Sequence, residues 1–337
     1  MEHQQHRRCD PFAHGGLIMR KGLFIGINHY THVSPLSGCC NDAMAMASVL
    51  KTDANGDPNF KNVVLTSAED DLSRGKLEDQ IRELFSGDCN VALLYFAGHG
   101  GFDTDNDEGM LLPQDYRSAK DGIRISDILN WATKAGRIKN KVIILDCCQS
   151  GAAGEVRALR SESSVVGEGM TILTACKKEE PAMEGAQHGV FTGLLLQALH
   201  GGAANILGKI TPGSLYSFVD NALDAWEQRP VFKTNVSQFI FLREVSPLIP
   251  KEILRKLPEW FAEAESTYPL DPSYEPTEAS FDPEHGEVFA QLQKCNRHSL
   301  IEPVDAEHMY YAAIHSTGCR LTALGAYYRE LALKGHF

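Results

Sequence analysis

No run in this chain approaches the roughly 20 consecutive apolar residues that a membrane-spanning helix requires. The opening MEHQQHRRCDPFAH also has no apolar core of a secretory signal, so the expectation is an intracellular, cytoplasmic protein that makes no use of a membrane. Positive charge is scarce. With 32 Lys and Arg against 44 Asp and Glu the formal net charge is -12, which weighs against a main task of neutralising nucleic-acid phosphates or coating an anionic surface. Disulfide and zinc spacings are missing as well: the nine cysteines are odd in number, and the adjacent pairs Cys39-Cys40 and Cys147-Cys148 fit neither a disulfide framework nor a CxxC site. Reduced thiols, with one of them reactive, are expected. Disorder is excluded by ordinary fractions of hydrophobic (43%) and charged (23%) residues, and 337 residues allow one large domain and a smaller module.

Between residues 20 and 243, short β-branched apolar runs alternate with helical patterns, which signals βαβ units and a largely parallel sheet. The strand candidates are Leu23 to Ile27, Val63 to Leu65, Val91 to Phe96, Val142 to Leu145, Met170 to Leu173 and Phe239 to Leu242. Ser73 can cap a helix whose apolar face is Leu77, Ile81, Leu84 and Phe85, and Thr211-Pro212 is a second helix start. From 244 to 282 the composition turns to Pro, Glu and Ser and reads as an acidic linker, and residues 283 to 337 regain helical spacing. The domain reading is therefore an N-terminal extension over 1–19, an α/β domain over 20–243, the linker, and a small C-terminal module.

Two motifs end predicted strands, where ligands and catalytic groups collect in open α/β sheets. They are Ala97-Gly98-His99-Gly100 and Asp146-Cys147-Cys148-Gln149-Ser150-Gly151. A His and a Cys at the ends of adjacent parallel strands have the relation that a thiol nucleophile and its acid/base require, although they lie far apart in sequence. Flanking glycines let the backbone approach a substrate, and the N–H groups of Gly100 and Cys148 suit an oxyanion hole.

At these residues the sequence resembles the caspase/metacaspase superfamily over most of 20–243. The carriers are GLFIGINHY, LSGCCNDA (36–43), YFAGHG (95–100), EGMLLPQD, the DxCxSG box at 146–151, LTAC, GVFTGLLLQAL and QRPVF. The resemblance implies a caspase-like three-layer α/β sandwich: about six mostly parallel strands in the order 2-1-3-4-5-6, the last antiparallel, with helices on both faces. It implies a cysteine endopeptidase with His99 as general acid/base, and it selects Cys148 over Cys147 as nucleophile because the box places the thiol third. It also places Asp42 and Asp146 at an acidic S1 pocket, which would select Arg or Lys at P1 and repel Asp. Gln149 departs from the His common after the nucleophile in metacaspases. A silent caspase-fold scaffold and an Asp-P1 peptidase are the alternatives.

The small and polar stretch 152–169 reads as a mobile intersubunit loop whose Arg157 and Arg160 are candidate self-cleavage sites. DTDNDEG (103–109) invites a calcium reading, yet an EF-hand loop starting at Asp103 needs Gly and Glu where the chain has Glu108 and Gln114. No metal ligands are named and no cofactor is required; calcium stays an activator suggested by the family. The C-terminal module looks helical or winged-helix-like. Its near-balanced charge, with Lys294, Arg297, Arg320, Arg329 and Lys334 against Glu302, Asp305, Glu307 and Glu330, is a poor phosphate footprint. A regulatory protein partner is expected there rather than nucleic acid, in a regulated cell-death or defence setting that the family alone suggests. His188, His308 and the Met44-Met46 pair read as structural.

Overall fold

The computed structural model describes residues 19–149, 167–175, 188–223, 230–236 and 238–337, with Cys148 and Gln149 described by their backbone. The chain divides into two compact units, the first holding residues up to 203 and 211–243, the second 204–210 and 244–337.

In the first unit the apolar runs pair as strands. They are β1 (Arg20–Gly26), β2 (Lys61–Thr66), β3 (Cys89–Asp103), β6 (Ile138–Gln149) and β7 (Met170–Thr174), completed by β8 (Val231–Asn235), while β4 (Glu108–Leu111) and β5 (Ile123–Arg124) form a side branch off β3. The order is β2-β1-β3-β6-β7-β8, parallel throughout except for the antiparallel β7–β8 pair. This is the expected 2-1-3-4-5-6 arrangement. The sixth strand is not the expected segment, however. Phe239 to Leu242 lies outside any strand; Ile240 and Leu242 are buried while Phe239 is exposed, so alternating burial without a ladder produced the strand-like pattern.

The central strands read as near-continuous apolar runs because a parallel sheet is covered on both faces. Residues Val142 to Leu145 of β6 are each about 1% exposed. On one face Leu23, Ile25 and Ile27 pack with Leu77, Ile81 and Leu84 of helix α2 (Arg74–Leu84) and with Ile125, Ile128 and Ala132 of α3 (Ile125–Lys134). The strand's two-residue period sends Phe24 to the other face. Helix α1 (Cys39–Lys51) buries Cys40, Ala43, Met46, Ala47 and Leu50, and α4 (Val190–Gln197) and α5 (Pro212–Leu223) complete the unit.

The second unit corrects the linker reading. Residues 244–282 include helical turns at Lys251–Leu254 and Leu257–Trp260 and a strand, β9 (Thr267–Tyr268). Their Leu254, Leu257, Phe261, Leu270 and Tyr274 share one core with Phe289 and Leu292 of α6 (Pro283–Arg297), Ala312 of α7 (Met309–Ile314) and Tyr328 of α8 (Ala323–Leu333). A three-stranded antiparallel sheet, β9-β11-β10, with β10 (Ile301–Pro303) and β11 (Cys319–Leu321), joins the helices. Prolines at 250, 258, 272 and 283 misled the composition reading. Two of them, Pro272 and Pro283, open helices from capping aspartates, Asp271 and Asp282. Phe261→Ala is expected to destabilise this unit by about 3 kcal/mol or more, read from urea unfolding of the full chain; an unchanged transition would restore the linker.

Candidate active site

Two close approaches of backbone build the site. At the end of β1, a Cβ on Gly26 would sit 2.3 Å from the Cys39 carbonyl oxygen, so only glycine lets the start of α1 lie against the strand. The Cys40 amide donates to Asn28 Oδ1 at 3.2 Å and the Cys40 thiol to the Gly26 carbonyl at 3.3 Å, fixing the first turn of α1 and with it Asp42. At the end of β3, a Cβ on Gly98 would meet the Tyr30 hydroxyl at 2.6 Å. That space admits Tyr30, whose hydroxyl accepts the His99 amide at 2.7 Å and whose ring lies 4.8 Å from the imidazole.

The β3–β6 ladder then sets the chemistry. Its register pairs Ala97 with Asp146, Gly98 with Cys147 and His99 with Cys148. Cys147 packs against the core shared with α2 and α3, as do Phe96 and Leu145. By the two-residue repeat, position 148 falls on the opposite face, with His99 and Asp146. This is an independent argument against Cys147 as the nucleophile. His99 Nε2 lies 2.9 Å from the Ser34 carbonyl oxygen, which can only accept, so Nε2 carries the proton and Nδ1 is the basic nitrogen of the neutral ring.

On the same face lies an acidic pair. Asp42 is 3% exposed; its Oδ1 is 2.8 Å from His188 Nδ1, and its Oδ2 accepts the Gly189 amide at 3.4 Å. Burial pushes the Asp42 carboxyl up to about 6, the His188 hydrogen bond opposing and the Asp146 charge adding to the rise. Asp146 Oδ2 accepts from the Thr192 hydroxyl at 2.6 Å. Thr192 has one proton to give, so the buried Tyr95 hydroxyl, 2.6 Å from the same oxygen, donates to it. The two carboxylates converge on Gly189, where a Cβ would stand 3.5 Å from Asp42 Oδ2 and 3.6 Å from Asp146 Oδ2. Burial and these two charges also raise the Cys39 thiol, which therefore stays neutral.

The site thus brings together His99, Asp42, Asp146 and the backbone of Gly100 and Cys148, whereas Arg157 and Arg160 fall outside the described residues. Besides Tyr30, three partners escaped the sequence reading. The Ser34 carbonyl belongs to every residue type and leaves no signature. Thr192 sits within GVFTG without marking its hydroxyl, and His188, taken as structural, is the hydrogen-bond partner of Asp42. Asp103 is engaged in its own turn: Asn106 Nδ2 and the Asp105 amide donate to it at 2.7 and 3.1 Å, which, with Asn106 foremost, hold its carboxyl below the usual range. No cluster of three metal-ligating side chains occurs among the described residues, and none of the helices described is long and apolar enough to cross a membrane.

Metacaspase-1 of Pyricularia oryzae is 27% identical over 190 residues, covering 49% of this chain and 48% of its own, and Metacaspase-2 of Trypanosoma brucei brucei is 26% identical over 201 residues, covering 49% and 56%. The chain therefore spans about half the length of these curated relatives. Among solved structures, a protein from Geobacter sulfurreducens superposes with a TM-score of 0.49 at 18% identity, over 68% of this chain and 98% of that one. A sequence model of the caspase domain matches residues 19–240, well over half of the chain and all of the site just described, and by that match the protein belongs to the caspase-domain peptidase family, C14.

Proposed function

We propose that the protein is a cysteine endopeptidase cleaving after Arg or Lys with His99 and Cys148. The observation that carries the reading is the register of His99 opposite Cys148 at the ends of adjacent parallel strands, with the imidazole held by Ser34. The Cys148 thiol passes its proton to His99 Nδ1, and the thiolate attacks the P1 carbonyl carbon. The Gly100 and Cys148 amides hold the oxyanion. His99 returns the proton to the leaving amine as the peptide bond breaks, then takes one from water as that water attacks the thioester and frees the carboxylate product.

The P1 side chain is assigned to the acidic pair. A buried carboxylate beside a second one favours a guanidinium or ammonium and disfavours an acidic side chain. No cofactor enters these steps. We retain calcium as an activator and Arg157 or Arg160 as self-cleavage points; activity in EDTA and the intact mass after incubation test them.

Cys148→Ala is expected to abolish hydrolysis of Arg-P1 and Lys-P1 fluorogenic peptides, with Asp-P1 peptides uncut by wild type. Faster cleavage of Asp-P1 peptides would overturn the pocket assignment, and no cleavage under any condition would favour the scaffold. Asp42→Asn is expected to lower kcat/KM for Arg-P1 peptides about a hundredfold. Because Asp42 titrates at about 6, it is ionised above that pH and neutral below it. In wild type kcat/KM for Arg-P1 peptides should therefore fall as pH drops through about 6, and Asp42→Asn should lose that step. Tyr30→Phe leaves the His99 amide without its acceptor and is expected to cut kcat about tenfold at nearly constant KM.

A further inference from the structure

The acidic pair is already occupied. Asp42 Oδ1 meets His188 Nδ1 at 2.8 Å, and while the Asp42 side chain is 5% exposed, that of His188 keeps 29%. The imidazole is thus the solvent-side partner of a buried carboxylate. Asp42 accepts a second hydrogen bond from the Gly189 amide at the start of α4, which belongs to the backbone and remains whatever His188 does.

A buried carboxylate stripped of its partners is strongly unfavourable, so a pocket built to receive a cation needs a donor in its place while empty. His188 supplies one N–H. An arginine P1 side chain supplies five N–H donors in a planar fork and a permanent charge. Oδ1 has a lone pair for more than one donor, but with the Asp42 side chain 5% exposed and the imidazole on its solvent side, a P1 fork reaches that oxygen by displacing the ring. Rotation about the His188 side-chain bonds releases Asp42 without moving α4, because the residue precedes the helix's N-terminal cap, Gly189.

We propose that His188 is a competing gate of the S1 pocket: its Nδ1–H holds Asp42 in the substrate-free protein, and a basic P1 side chain binds by taking that carboxylate from it. The inference rests on the basic-P1 reading of Asp42 and Asp146. Among the described residues, the side chains that face the pair from the surrounding elements include Cys39 of α1, Tyr95 of β3 and Thr192 of α4. Thr192 serves Asp146, so the competition falls on Asp42. His188 touches no scissile bond in this scheme and acts on binding alone.

The test uses the full chain and benzamidine, which carries the amidine fork without a scissile bond. His188→Ala is expected to bind benzamidine about tenfold tighter by calorimetry, the worth of one hydrogen bond to a charged group. It should also lower KM for Arg-P1 peptides similarly at unchanged kcat. His188→Asn, whose side-chain amide can replace Nδ1–H, is expected to return both to within about twofold of wild type. In the wild type, benzamidine should shift the His188 ring resonances, a readout that needs no variant to fold. Unchanged or weaker benzamidine binding by His188→Ala, or ring resonances that do not move while benzamidine binds, would overturn the gate. Asp42→Asn separates the two readings. If it binds benzamidine as tightly as wild type, the basic pocket itself fails; if it loses binding while His188→Ala gains nothing, only the gate fails.

Discussion

The parallel ladder between β3 and β6 is the constraint on which the site depends. Eleven paired positions run from Cys89 opposite Ile138 to Gly100 opposite Gln149. A slip of one residue would move every side chain of a strand to the other face. It would then place Cys147 rather than Cys148 opposite His99 and send Asp146 into the apolar core. The register is secured by packing on both faces: Leu94 and Phe96 on β3, with Ile143 and Leu145 on β6, fill the core under α2 and α3, while Leu93, Tyr95, Val142 and Ile144 are buried on the other face. Core packing several residues away thus decides which of the two adjacent positions, 147 or 148, is paired with His99.

Around that ladder, helices are fixed by close approach rather than by long-range charge. Gly26 lets α1 begin at the end of β1, which delivers Asp42, while α4 begins at the same place and delivers His188, Gly189 and Thr192. The acidic pair is therefore assembled from α1 and β6 and lined by the first turn of α4. Each carboxylate has its own donors, and without them two buried negative charges in one pocket would be costly. The raised Asp42 carboxyl records how incompletely one imidazole and one amide offset that cost.

What could be read in advance follows from which features leave a periodic or chemical trace. Strands buried on both faces announce themselves as apolar runs, so β1, β3, β6 and β7 were legible, and motifs at their ends located His99, Asp146 and Cys148. The second unit was not. Its strands are two or three residues long, too short for a period, and its proline-rich segment looks like a linker until Phe261 and Leu257 are seen in the core. Within the site, Ser34 acts through a carbonyl that every residue possesses, and Tyr30 is recognisable only once Gly98 makes room for it.

His188 shows the same limit in its sharpest form. A histidine before a helix is ordinarily a satisfied surface group, and nothing in its neighbours distinguishes it. Its significance comes from a residue 146 positions away, brought within 2.8 Å by two helices that start at one sheet edge. A pocket selective for a cation faces a conflict: the negative charge that attracts substrate destabilises the empty protein. A weak internal donor resolves it. One N–H from a side chain able to rotate satisfies Asp42 in the resting protein, and a stronger, forked donor can replace it. An arginine or lysine fixed at that position would satisfy the carboxylate too well to be displaced, whereas an apolar residue would leave it the Gly189 amide alone, so an imidazole suits a site that must be both stable when empty and open to substrate.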